Sequence, residues 1–244
     1  MGNSAEGDDV SILFLGFMIF SNLIFAKQSP VPLQTIRTNE VTFYRAPSWL
    51  KKRRLNQVIH RVSRYFEWDV RRVPVQMYES PVEMQRVHHL KFPVMAVTIR
   101  NPLGIHLGQG VNNQNFDQVF GHELGHVILI QKYKRAIPAW LEEGLVNHAV
   151  HRGKVDYSFL KNELKTRPIT WNHPAFAKSP EEARFLYQLS LALAELLDRR
   201  CDLPDLLQLS VGKKLEIYLK NTCEIDDLDV AVRKWIAQKS RNSG

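Results

Sequence analysis

The chain has 244 residues, 44% of them hydrophobic, with 33 Lys and Arg against 25 Asp and Glu and a formal net charge of +8. That length and apolar share exclude a disordered or collagen-like chain and allow one sizeable domain, or one domain with a helical extension. The basic balance favours anionic surfaces or acidic partners, but the charges are scattered; with no zinc ribbon or basic–aromatic recognition module, no specific nucleic-acid partner is expected.

In chain order, the first feature is Val10 to Ala26, seventeen residues without a charge. The run is long for a signal-peptide core and at the short limit for a spanning helix. Glu6, Asp8 and Asp9 precede it, and Lys27, Arg37 and Arg45 follow. Read literally, the positive-inside rule leaves the following domain cytoplasmic. A misassigned start codon upstream of a true signal peptide would remove that conflict. Residues 1–26 are read as a signal peptide or membrane anchor, and the protein as membrane-anchored or exported (periplasmic or extracellular), with its topology open. Myristoylation at Gly2 is discounted because Glu6 stands where Ser or Thr is needed. Residues 27–39, with Pro30 and Pro32, read as a linker, and residues 40–240 as the main domain.

Within that domain, Val41 to Tyr44 reads as a strand. Ser48 to Trp68 has apolar residues at helical spacing, with Ser48 as its cap. Its basic start, Lys51-Lys52-Arg53-Arg54, reads as a solvated helix face rather than a nucleic-acid patch. Val73 to Tyr78 is a strand candidate. Ser80-Pro81-Val82-Glu83 has the form of a helix start, and His88 and His89 on that helix read as surface residues. Val94 to Arg100 and Ile105 to Leu107 are strand candidates joined through Asn101-Pro102-Leu103-Gly104. No phosphate-binding loop is present.

The densest chemistry follows: Phe120-Gly121-His122-Glu123-Leu124-Gly125-His126. Residues four apart share one helix face, so His122 and His126 offer two imidazoles to one point. Zinc takes nitrogen ligands in a tetrahedral set, and a catalytic zinc keeps one position for water, whose pKa falls to roughly 7. Glu123, beside the first histidine, is placed to take that water's proton. The pattern is H-E-x-x-H. Its context is a packing helix, with Val119, Phe120, Leu124, Val127 and Ile128 at helical spacing and Asn115 as the expected cap. The bland alternative is a core-edge helix with two incidental histidines. A third ligand is still required. The metzincin pattern is absent, because Leu129 and Lys132 stand where its Gly and third His belong. A Glu on the next helix, Pro138-Ala139-Trp140-Leu141-Glu142-Glu143-Gly144-Leu145, is the other route.

H-E-L-G-H followed by P-A-W-L-E-E-G-L resembles the gluzincin metallopeptidases, the thermolysin-like or peptidase MA-like group, over residues 90–150. The resemblance implies that Glu143, separated from His126 by sixteen residues, is the third zinc ligand; Glu142 is the adjacent alternative. Gluzincins often carry Asn before that Glu and Asp four residues after it, as partners of the histidines; this chain has Glu142 and Asn147. Asn147 can fix the tautomer of His122, and Glu142 that of His126. Zincins also present a sheet edge to which a peptide substrate adds as a strand. Ile105, His106 and Leu107 lie in the matching place and are read as that substrate edge. Gluzincins place a Tyr or His beyond the ligand Glu to stabilise the oxyanion. The candidates are Tyr187, Tyr157, His148, His151 and His173, and Tyr187, in Leu186-Tyr187-Gln188-Leu189-Ser190, is the choice, with a core tyrosine as the alternative.

A long helix from Ser179 to Arg200, with Ser179 as cap and Pro180 at its first position, follows. Two more are read at Leu203 to Val211 and Ile225 to Gln238, the last capped by Asp226 or Asp227. Cys201 and Cys223 pair in an oxidising compartment and stay reduced in the cytosol. The expectation is an α+β, zincin-like domain: a small mixed sheet packed on the H-E-x-x-H helix, with a mostly helical C-terminal half. The expected activity is zinc-dependent hydrolysis of peptide or protein substrates, with a membrane contact possible through residues 10–26. The rival is a membrane-tethered, zinc-containing binding module without turnover; the intact Glu123 argues against it.

Overall fold

The computed structural model describes residues 34–88, 94–134, 136–150 and 154–241. Five strands, β1 (Gln34–Arg37), β2 (Val41–Ala46), β3 (Val73–Met77), β4 (Ala96–Arg100) and β5 (Leu103–Leu107), form one mixed sheet in the order β1-β2-β3-β5-β4. β1 is antiparallel to β2 and β4 to β5, whereas β2, β3 and β5 run parallel to their neighbours in that central trio. A parallel pair needs a crossover, and α1 (Lys52–Tyr65) supplies it between β2 and β3.

Two sequence expectations are corrected here. Gln34–Arg37, inside the segment read as a linker, is a strand with Ile36 in the core. Residues 27–33 of that segment, and the apolar run 10–26, lie outside the described residues. Among the described residues no helix is long and apolar enough to cross a membrane. The second correction concerns Ile105, His106 and Leu107. They are not an edge: β5 is paired on both sides, with β3 and with β4, so its ladder groups are already used. β4 is the edge. The turn at Asn101-Pro102 folds the chain back inward, and hairpin periodicity does not reveal which arm ends outermost.

α1 buries Leu55, Val58, Ile59 and Val62, each contributing about 1.5–3 kcal/mol against full exposure. It starts at Lys52 with no side-chain cap, so Ser48 does not play that part. α2 (Pro81–His88) begins as read, Ser80 Oγ accepting from Glu83 N at 3.1 Å. His88 is buried rather than on the surface, and His89 lies outside the described residues.

α3 (Phe116–Ile128) is the centre of the fold, buried without a break from Val119 to Ile128. A helix enclosed on all sides reads as apolar all round, and here the exceptions are His122, Glu123 and His126. Asn115 does not cap α3 through its side chain; its amide accepts from Asn112 N and donates to Gly110 O, bracing the preceding loop. A π-helical turn, Leu129–Tyr133, continues the helix. Its Gln131 side chain binds Trp68 Nε1 and the backbone of Arg71, tying the turn to the end of the α1 region.

α4 (Ala139–Ala149) packs between α3 and α6 (Pro180–Arg200). Two glycines set those distances. A Cβ on Gly125 of α3 would lie 2.8 Å from Val146 Cγ1, and one on Gly144 of α4 would lie 2.0 Å from the Ser190 carbonyl oxygen. Gly144 N also donates to Ser190 Oγ at 2.8 Å. α6 is capped by Ser179 as read. The remaining helices are α5 (Tyr157–Glu163), α7 (Leu203–Leu209), α8 (Glu216–Cys223) and α9 (Leu228–Arg241). α5 and α8 were not read from the sequence; eight residues or fewer give too few turns for a periodic signal. Asp227 rather than Asp226 caps the last helix, accepting from Val230 N. Cys201 and Cys223 form a disulfide joining the end of α6 to the end of α8.

Gly144→Ala should destabilise the protein by about 3 kcal/mol, the upper end for overpacking, and lower the melting temperature by roughly 10 °C. Gly125→Ala should cause a smaller loss, because its Cβ meets methyl groups that can rotate away. Thermal unfolding of both variants checks this; equal losses would contradict it.

Candidate metal centre

One face of α3 carries His122 and His126, whose Nε2 atoms stand 3.1 Å apart. Each ring is fixed from behind. Asn147 Oδ1 lies 3.1 Å from His122 Nδ1, and Glu142 Oε1 lies 2.9 Å from His126 Nδ1. With Nδ1 donating outward, both Nε2 atoms can turn lone pairs to one point. The third group arrives from α4: Glu143 Oε2 is 3.5 Å from His122 Nε2, and Glu143 Oε1 is 3.4 Å from His126 Nε2. The close approach at Gly125 brings α4 near enough for this.

The three ligand atoms lie within 4.8 Å of one another, and all three residues are buried, so the group could hold a metal ion. The spacing fits: nitrogens bound tetrahedrally at about 2.0–2.1 Å stand roughly 3.3 Å apart. So does the chemistry. Among the described residues neither oxygen of Glu143 has a hydrogen-bond partner, although both are buried. A buried carboxylate left in that state is strongly unfavourable. Burial opposes a charge on His126, yet the carboxylates of Glu143 and Glu142 outweigh it and raise its pKa to about 10. Burial likewise opposes the charge on Glu143, but the two facing histidines and His173 hold its pKa well below the ordinary carboxylate range.

Two groups on the edge strand steady the surrounding carboxylates. Thr98 Oγ1 donates to Glu123 Oε2 at 2.8 Å. Arg100 Nη2 lies 3.2 Å from Glu142 Oε2, and this pairing, after His126, offsets the burial of Glu142 and lowers its pKa. Thr98 and Arg100 are two apart on β4 and so share one face. Neither was read from the sequence, because nothing in a strand's own residues says which helix carboxylate it meets.

Of the five oxyanion candidates, His173 is the one beside a ligand, its Nε2 3.4 Å from Glu143 Oε1. It precedes the 3-10 turn Pro174–Phe176. Tyr187, the residue chosen from the sequence, is half-buried on α6, one turn before Ser190. Tyr157 is engaged with Glu195 and Trp235, and His148 with Asp198. His151 lies outside the described residues. His106, in β5, meets Tyr78, with its Nδ1 2.8 Å from the hydroxyl. Burial first, and His88 second, push its pKa down to about 4.

No protein-family model, no curated protein and no solved structure matches the chain.

Glu142→Ala should weaken binding of a metal ion at this group roughly 10- to 100-fold, the usual effect of removing a histidine's outer partner. Competition with a chromogenic chelator measures it. Affinity equal to that of the unsubstituted protein would mean that Glu142 does not hold His126.

Proposed function

We propose that the chain is a zinc metallopeptidase of zincin-like architecture, close in design to the gluzincins, that hydrolyses peptide bonds. The observation that carries this reading is a buried carboxylic base, Glu123, directly after the first of two histidines that converge with a second-helix carboxylate. Two His and one Glu suit zinc, and a set of three protein groups leaves a position for water. A metal held only for structure is enclosed by four protein ligands and has no use for a neighbouring base.

His122, His126 and Glu143 would hold the ion. When bound, zinc supplies Lewis acidity, acidifying a water molecule and polarising the scissile carbonyl. Glu123 accepts the proton of the attacking water and passes it to the leaving amine. Thr98 keeps the Glu123 carboxylate in place through that exchange. His173, rather than Tyr187, is the donor we assign to the developing oxyanion, because its imidazole already stands at the ligand cluster. The substrate pairs with β4, one of the two terminal strands of the sheet, at its half-exposed end, Ile99 and Arg100. The Cys201–Cys223 bond fits an oxidising compartment, in keeping with an exported or membrane-anchored domain.

Glu123→Gln should leave zinc content unchanged and lower turnover of a peptide library by about 100-fold or more, the contribution of a general base. Undiminished cleavage by that variant sinks the mechanism. Absence of cleavage by the unsubstituted, zinc-loaded protein favours the binding module without turnover.

A further inference from the structure

The exposed face of α1 has no part in the site just described. The helix carries five basic residues, Lys52, Arg53, Arg54, Arg61 and Arg64, and no acidic one. Lys51 precedes it. Arg54 is spent internally on Asp117 and Asn113. Lys51, Lys52, Arg53, Arg61 and Arg64 are exposed, on the side opposite the buried Leu55, Val58, Ile59 and Val62. Among the described residues none of these five forms an ion pair. Lys51 and Arg61 reach only backbone carbonyls, those of Ser48 and Asp117. For Lys51, Lys52 and Arg53 the place is unfavourable to the helix itself: cations crowd an N-terminus that already carries positive partial charge, with no acidic residue in the first turn, whereas Arg64 in the last turn suits the dipole.

The path of the chain supplies the occupant. Gln34, the first described residue, donates through Nε2 to the carbonyls of Leu50 and Pro47, at 3.1 and 3.4 Å. The chain therefore enters the fold at the corner from which Lys51 and α1 depart. Only residues 27–33 separate Gln34 from the uncharged run 10–26. Seven residues span at most about 25 Å, and α1 is itself about 21 Å long. Any bilayer that takes up residues 10–26 is within reach of this face. We propose that the basic face of α1 docks on the anionic headgroups of that bilayer and holds the domain against the membrane surface. Positive charge near such a surface is attracted within a Debye length, about 8 Å at physiological salt. Between the cations lie Asn56, Gln57 and His60, and no aromatic ring is exposed there to stack a nucleobase. Two acidic side chains, Glu40 and Asp69, line a pocket together with Lys52, Asn56 and His60, on one side of this face.

The test uses the full chain reconstituted into vesicles of phosphatidylcholine alone or of equimolar phosphatidylcholine and phosphatidylglycerol. With both native cysteines bonded, Gln57→Cys gives one thiol for an environment-sensitive fluorophore on this face. Quenching by a headgroup-borne quencher should be several-fold stronger in the anionic vesicles. It should fall to the neutral level in high salt and in the Arg53→Gln, Arg61→Gln, Arg64→Gln combination. Equal quenching in both vesicles would show that the tether alone sets the distance, and would overturn the proposal. So would duplex DNA that binds the labelled protein in detergent and displaces the face from anionic vesicles.

Discussion

A carboxylate buried opposite two imidazole lone pairs is untenable without a positive charge between them. Glu143 stands in that position, and the groups that face its oxygens are the imidazoles of His122, His126 and His173, at 3.4–3.5 Å. The charge count around it points the same way. Glu123, Glu142 and Glu143 are all buried, and the Arg100 guanidinium offsets one of them. A divalent cation, which His122, His126 and Glu143 could hold, would offset the other two. Ligands and flanking carboxylates would then form one electrostatic unit with it.

The scaffold exists to bring that unit together. α3 is enclosed so completely that its buried polar residues can only face one another, β4 or the carboxylates and amide of α4. Gly125 lets α4 approach until Glu143 meets the histidines, and Gly144 lets α6 press on α4 from the far side. β4 then closes the front, where Thr98 holds Glu123 and Arg100 holds Glu142, the partner of His126.

The sequence exposed the parts of this unit that are local. His122, Glu123 and His126 lie within one helical turn, so spacing alone aligns them. Glu142, Glu143 and Asn147 lie on a single short helix, and the structure pairs Asn147 with His122 and Glu142 with His126, as their chemistry suggests. What was hidden depends on long-range register. Which arm of the β4–β5 hairpin ends outermost is a property of β3, not of Ile105 or His106. Thr98 and Arg100 look like ordinary strand residues until α3 and α4 are placed beside them. His173 was one of five candidates, of which the sequence reading chose Tyr187, because the loop before Pro174 has no periodic signal. The strand at Gln34–Arg37 was masked by the prolines that precede it.

The most direct test is X-ray absorption spectroscopy of the purified, zinc-loaded protein. The account predicts one zinc per chain, with an inner sphere of two imidazole nitrogens and light oxygen donors at about 2.0–2.2 Å. In Glu143→Ala the imidazole signal should weaken as zinc is lost. A first shell made only of water oxygens, or one that Glu143→Ala leaves unchanged, would contradict it.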